Sequence, residues 1–512
     1  MAERGRVTAW GLAQRDQRDS RDCRGWKRRV SAAKRSLGPQ CSTRDFRMEE
    51  PFRIQIGEPN MDGDERNLYK VVTATLAMVK ERVKAELQAQ YSGDKQGHAE
   101  CPVETSPPES TTGCVLVLPK GVDAGVAGSW ISGTLAFLLK EVGKETLLDA
   151  LHNRSDQRVV EASALLDHTW QRLNTGHWKS VPQTWRLVFT WGTITLVALL
   201  LHRLQAALHA GDTSPSVAAV ASVVRACDRG LLMGAAVGRS PLHFAAATLN
   251  PFARTGPSSA PVEAEEAPIT QEDAASVTRP LASASCPALD RFLLKHMEGA
   301  LPVKLLGVAQ QWPALQRWGL PYFRRVAGAR IVPVEVGARY TDSDWYQRLM
   351  TLDEYFTAYV TERSEEERLT GYLAQHHLLD QIPELMEDIL VPDYCHLGDH
   401  PPRINAWVGP RGTVSPLHHD PDHNILVQVV GYKYVRLYTE DQSHLLYAHP
   451  DPLLSNTSQA DVEGPVEAWP LLQQARYQDL VLGPGEALYI PPRCWHYVRS
   501  LSTSFSVSFW WA

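Results

Sequence analysis

The eight cysteines (23, 41, 101, 114, 227, 286, 395 and 494) show no C-x-x-C spacing, and no stretch reads as a secretory signal. That argues against a zinc ribbon and predicts reduced thiols in an intracellular compartment. A Cys/His zinc finger or other chromatin-reading module is also missing, and no nucleophile with a hydrolytic partner stands out. The apolar stretch Leu187–Leu201 falls short of the about 20 residues needed to cross a bilayer. Arg186, His202 and Arg203 close it, which predicts a buried bundle helix rather than a membrane span. Positive charge is scarce outside the N-terminus. Residues 1–47 carry thirteen Lys+Arg against five Asp+Glu, a net of +8, which leaves 39 against 53, or −14, for the remaining 465 residues. A folded part of that sign argues against nonspecific nucleic-acid binding.

At 44% hydrophobic and 21% charged residues, 512 residues suffice for two or three domains. Residues 1–60 read as a basic extension without a fold. A nuclear-localisation or nucleic-acid patch at Trp26-Lys27-Arg28-Arg29 and a transit peptide are the other readings, the latter weakened by Asp16, Asp19, Asp22 and Asp45. Met48 could equally begin a shorter form. Residues 61–248 show helical periodicity at Leu68–Gln90, Trp130–Leu151, Val159–Leu173, Trp185–Leu204 and Val217–Cys227. They predict an α-helical domain that offers a partner or regulatory surface. Residues 249–282 are rich in Pro, Ser and Glu, a composition that predicts a linker and separable domains.

Residues 283–512 read as many short strands with Gly/Pro turns: Leu305–Val308, Ile331–Val336, Tyr372–Leu373, Ile404–Val408, Ile425–Val430, Lys433–Leu437, Ala487–Ile490 and Ser504–Trp511. A capping-box signal at Thr351–Glu354 starts a helix through Tyr355–Val360. The pattern predicts an α+β chain whose C-terminal domain is a double-stranded β-helix, or jelly roll, with ligands in the mouth between its sheets. In the last strand Ser504, Ser506, Ser508 and Trp510 share one face and Phe505, Val507, Phe509 and Trp511 the other. The small-residue face borders either a cavity or a neighbouring loop.

The stretch Ser415–Asn424, S-P-L-H-H-D-P-D-H-N, sets three histidines and two aspartates between two prolines. In an extended segment His418 and Asp420 point one way and His419 the other. His496, after the apolar Ala487–Ile490 and Pro491-Pro492, is the best third ligand. Two imidazoles, one carboxylate and open positions make the facial triad of non-haem Fe(II) oxygenases. A solvated His-rich loop is the alternative. Cys494 reads as a small buried residue rather than a fourth ligand. Alternation places Lys433 with Val435 and Leu437, opposite Tyr434, Arg436 and Tyr438. An inward ammonium is costly unless an anion meets it, as the far carboxylate of a dicarboxylic cosubstrate would. A strand end with Lys433 in solvent is the other reading.

The spacing of His418, Asp420, Lys433 and His496, with the strings VPVEVGARYTDSDW, GYLAQHHLLDQIPEL, INAWVGP, NTSQ-DVE and SFSVSFWWA, resembles the Jumonji-C oxygenases. The resemblance covers most of the second half and, more loosely, the helical region. It implies Fe(II) held by His418, Asp420 and His496, with 2-oxoglutarate and O2 as cosubstrates. Lys433 would meet the far carboxylate, with Tyr372, Ser415, Asn424 and Trp510 lining the same pocket. From the residues alone, Ser415 and Asn424 also read as turn residues, and Tyr372 rests on the resemblance only.

The resemblance further implies that Glu335, Gln375 and Trp407 hold a substrate arginine. Read without it, Glu335 is an outward strand residue and Trp407 a core aromatic. Protein arginyl hydroxylation therefore ranks first, histone methyl-lysine demethylation second and methylated-arginine tail cleavage third. A catalytically silent binding module stays open as a different class, against which the intact triad and Lys433 argue. The implied partners are a protein with a basic side chain, histone tails included, and a chromatin-associated partner of the helical domain. The implied compartment is the nucleus, with the cytoplasm second.

Overall fold

The computed structural model describes residue 68, 70–82, 148–176, 181–209, 217–236, 240–253, 270, 273, and 276–512 with breaks at 362–369 and 453. The basic extension 1–60, the reading of residues 130–147 and most of the linker lie outside these residues.

The helical region packs residues 70–82 and the helices Leu148–Leu173, Gln183–His209, Val217–Met233 and Pro241–Leu249 around one core. Its axis is Gln183–His209. At 27 residues the helix is longer than the apolar run suggested, and by length and composition it could cross a membrane. Val188, Trp191, Ile194, Val197 and Leu201 nevertheless sit in the protein core, so the expected bundle helix is what forms. Ser240 caps the last helix by accepting the His243 N–H, with Pro241 in its first turn, where a missing N–H costs nothing.

The C-terminal part builds two sheets. Its strands are β1 Ser283–Ser285, β2 Val303–Leu306, β3 Ile331–Val336, β4 Tyr346–Thr351, β5 Gly371–His376, β6 Arg403–Gly409 and β7 Val414–His418. Then follow β8 His423–Val430, β9 Lys433–Tyr438, β10 Gln478–Leu482, β11 Ala487–Ile490, β12 Trp495–Ser500 and β13 Ser504–Trp511. Nine form the order β1-β2-β11-β8-β13-β6-β5-β3-β4, and four the order β10-β9-β12-β7. The fold is thus α+β with a jelly-roll domain, as the strand pattern implied. The first apolar strand begins two residues earlier than expected, because β2 pairs with β11 at Val303–Leu305.

Alternation decides the layers. Phe505, Val507, Phe509 and Trp511 join the large core on the outer side of the nine-stranded sheet. Val435 and Leu437 meet Leu426, Leu488 and Ile490 in a smaller core between the sheets, while Tyr434 and Tyr438 enter a separate cluster with Leu417 and Trp495. Thr351 makes the expected capping box with Glu354 at the start of Leu352–Phe356.

At both ends of the segment expected to be a linker the chain is packed. Asn250 is buried and its amide donates to Val326 O at 2.7 Å and to Glu384 at 3.1 Å. Downstream, Asp273 pairs with Arg411, and Asp479 accepts the backbone N–H groups of Thr278 and Arg279. Pro/Ser/Glu composition forecast low burial, but at these two ends polar partners on the oxygenase domain add to apolar contacts made by Leu249, Ala253 and Leu281.

Candidate metal and cosubstrate site

His418 ends β7 and His496 lies near the start of β12, and the two residues are direct register partners in the four-stranded sheet. A register shift between His496 and Val498 marks a bulge beside the site, where such irregularities commonly re-aim a side chain. Asp420 follows two residues after His418. His418 Nε2 stands 3.7 Å and His496 Nε2 3.5 Å from Asp420 Oδ2, and the three ligand atoms all lie within 4.8 Å of one another.

The remaining ring nitrogens explain the aim. His418 Nδ1 lies 2.6 Å from Pro416 O and His496 Nδ1 3.0 Å from Cys494 O. An Nδ1–H donated to each carbonyl leaves both Nε2 lone pairs facing Asp420, the tautomer that metal-bound imidazoles adopt. Burial also holds His496 down at about 4, so it is neutral at ordinary pH. This donor set fits a divalent cation. Cys494 is buried, its thiol pushed up to about 12 by burial, and its Sγ faces backbone carbonyls; it belongs to the core, as expected.

His419 turns away and packs edge-on against Trp495 at 4.6 Å. Two backbone bonds and one side-chain bond hold the ligand strand from outside: His419 N donates to Asn456 O, Ser458 N to Leu417 O, and the Asn456 Nδ2 amide to His419 O. Arg493, at φ +60°, donates its N–H to Asp420 O at 2.7 Å. Sequence reasoning missed the supporting role of these residues. Their string, NTSQ, contributes mainly backbone atoms, for which side-chain pattern carries no signal.

Lys433 opens β9 and is 1% exposed. Its Nζ donates to Tyr372 OH at 3.3 Å across the gap between the sheets, and no carboxylate among the described residues pairs with it. Burial lowers its pKa to about 7. An ammonium so placed invites an anion, which fits a dicarboxylate cosubstrate. Nearby, Tyr372 is bonded to Ser415, and Asn424 keeps a buried Oδ1 without a partner among the described residues. Trp510 Nε1 donates to Ser508 Oγ at 2.7 Å, and Trp407 Nε1 donates to the same oxygen at 2.8 Å. Ser508 therefore aligns two indoles, a role the sequence reading did not foresee.

Glu335 on β3 is the register partner of Tyr372 on β5. It lies on the half-exposed face of β3, opposite the buried Val332, Val334 and Val336, and desolvation of its carboxyl pushes it up to about 7 against the pull of Trp345 and Gln347. Trp407 lies 6.1 Å from the Tyr372 ring, between the site and the inner core. Gln375 adopts φ +47° where the β5/β6 register shifts, so the strand is kinked at that residue.

A jelly roll with two imidazoles and a carboxylate at its mouth defines a cupin-type non-haem metalloprotein, and residues 289–512 match the cupin-like domain family. The chain is 42% identical over 381 residues to the zebrafish (Danio rerio) protein named lysine-specific demethylase 8, covering 71% of this chain and 90% of that one. It is 37% identical over 387 residues to the Arabidopsis thaliana lysine-specific demethylase JMJ30, covering 70% and 86%. To a human bifunctional peptidase and (3S)-lysyl hydroxylase, JMJD7, it is 27% identical over 245 residues, covering 41% and 77%. The chain belongs to the Jumonji-C oxygenase family, which implies Fe(II) and 2-oxoglutarate.

Proposed function

We propose that this chain is a protein hydroxylase that acts on arginine side chains and releases succinate and CO2. The observation that carries the substrate reading is Glu335: a desolvated carboxyl beside Tyr372, unpaired with any cation among the described residues. A guanidinium can meet such a carboxylate with two parallel N–H bonds, and the Trp407 face suits its flat cation. Gln375, two residues from Leu373 on the same strand, would hold the remaining donors.

His418 Nε2, His496 Nε2 and the Asp420 carboxylate would hold Fe(II). When bound, the metal with 2-oxoglutarate and O2 supplies the oxidising chemistry that hydroxylates a C–H bond. The chain orients and shields the reactants. The Lys433 ammonium and Tyr372 hydroxyl take the far carboxylate of 2-oxoglutarate, while Ser415, Asn424 and Trp510 line the same pocket. The apolar residues between the sheets keep water away. Glu335 and Trp407 position the arginine, and Glu335 gives up its proton as the cation arrives.

In this reading residues 61–248 form a helical domain, 249–282 a connector and 283–512 the oxygenase, which works on nuclear protein substrates. Methyl-lysine demethylation is the second reading, favoured by the names of the zebrafish and Arabidopsis relatives. A peptide panel with unmodified arginine and methylated lysine, incubated aerobically with Fe(II), ascorbate and 2-oxoglutarate, separates them by mass. One added oxygen on arginine, absent with His418→Ala, is the expected outcome. Methyl loss with formaldehyde would put the demethylase first, and no succinate at all would favour a binding module.

A further inference from the structure

A buried polar knot joins the helical region to the oxygenase domain. Asp228, on the helix Val217–Met233, and Arg330, just before β3, are both 0% exposed. Arg330 donates to both Asp228 oxygens at 2.8–3.1 Å, and its Nη2 also reaches Gln381 O at 2.8 Å. Asp228 Oδ2 accepts the Ile331 N–H at 2.9 Å, and Oδ1 accepts from Gln381 Nε2 at 2.8 Å. The other Gln381 amide hydrogen goes to Ile331 O at 2.8 Å. With both hydrogens spent, Gln381 Oε1 can only accept, so His376 Nε2, 2.6 Å away, carries the proton between them.

The knot holds two strands at once. It grips the first residue of β3 through its N–H and its C=O, and the last residue of β5 through its ring. These strands pair at Glu335 and Tyr372, and Gln375 immediately precedes His376. A left-handed, non-glycine backbone persists only where its surroundings over-determine it. The His376–Gln381 bond is one such constraint at the Gln375 kink.

We propose that Asp228 is a positioning residue through which the helical region aligns the substrate-bearing strands β3 and β5 in cis, by way of Gln381 and His376. The metal ligands and Lys433 stand on the four-stranded sheet or just past it, outside the knot. The proposal rests on the reading of Glu335 and Gln375 as substrate contacts.

The test uses the full chain with Gln381→Met, which cuts the link to His376 and leaves the Asp228–Arg330 pair. Hydrogen exchange is expected to rise by about tenfold or more in segments covering β3 and β5, with β8 and β13 unchanged. Binding of Mn(II) alone, whose proposed ligands lie on β7, on β12 and just past β7, should stay within about threefold of wild type. The KM for arginine peptide should rise about tenfold or more, because misplacement of about 1 Å costs up to about 100-fold. Unchanged exchange in β3 and β5 overturns the proposal. So does uniform loosening of all strands with weakened Mn(II) binding, the mark of a merely structural contact. Should Gln381→Met not fold, Asp228→Leu with Arg330→Met swaps the ion pair for apolar groups and must loosen the same two strands. If wild type turns over no arginine peptide, the arginine reading fails, while the exchange and Mn(II) arms still decide the knot's role.

Discussion

Lys433 is buried and Glu335 half-buried, both are desolvated, and their titrations oppose each other. Lys433 falls to about 7 from 10.5, so between those values the folded state binds fewer protons than the unfolded state. Its penalty is fully present below pH 7 and fades as pH rises toward 10.5. Glu335 rises to about 7 from 4.5, so its penalty grows from pH 4.5 and is complete above pH 7. Lys433→Met should therefore stabilise the ligand-free protein most at pH 6 and least at pH 10. Glu335→Gln should stabilise it most at pH 8 and least near pH 4.5. Urea midpoints at the two ends of each range check both signs. The same Lys433→Met should raise the KM for 2-oxoglutarate roughly 10- to 100-fold, since a bond to a charged group contributes about 1.5–3 kcal/mol. Ser508→Ala is the complementary case. It strips the acceptor from two indole N–H groups, and leaving the buried Trp510 N–H unpaired should cost about 1–3 kcal/mol in a denaturation curve. Alternation in K-Y-V-R-L-Y made the inward Lys433 legible in the sequence. The desolvation of Glu335 was not, because it depends on Trp345, Gln347 and Tyr372, which other segments bring against β3.

Among the elements, the β8–β9 hairpin is the most demanding joint of the site. Gly431 takes φ +72°, and a Cβ there would sit 2.0 Å from Thr503 O, a backbone atom that cannot step aside. Gly431→Ala should cost about 2 kcal/mol or more, from strain and overpacking together. Because Lys433 follows two residues later, 2-oxoglutarate affinity should fall as well, while metal affinity, set on β7 and β12, should change little. Calorimetric titration with Mn(II), then with 2-oxoglutarate, separates the two. The last strand was readable from its small-residue face, since period two assigns faces without reference to partners. The β7–β12 pairing was not readable, because nothing local sets His418 opposite His496 across the 77 residues between them.

At the scale of the whole molecule, the helical region is fastened to the oxygenase domain. Asp228→Ala leaves the Arg330 guanidinium buried and uncompensated, and should cost about 3–5 kcal/mol. Asp228→Leu with Arg330→Met should recover only part of that loss, because it removes the uncompensated charge but leaves the Ile331 N–H and one Gln381 amide hydrogen without their Asp228 acceptor. Thermal or urea unfolding of the three chains tests this. A contact spanning 102 residues of sequence joins the regions on either side of the expected linker.

The sequence by itself determined the strand pattern of the jelly roll, the shared side of His418 and Asp420 and the inward Lys433, because alternation, residue chemistry and short spacings are local properties that survive without a fold. Only the tertiary structure decided which His faced which, that Glu335 lost its water, that Ser508 served two indoles and that Asp228 found Arg330. Those facts depend on strand register and on packing between distant segments, where the energy of a group is set by what closes over it rather than by its neighbours in the chain.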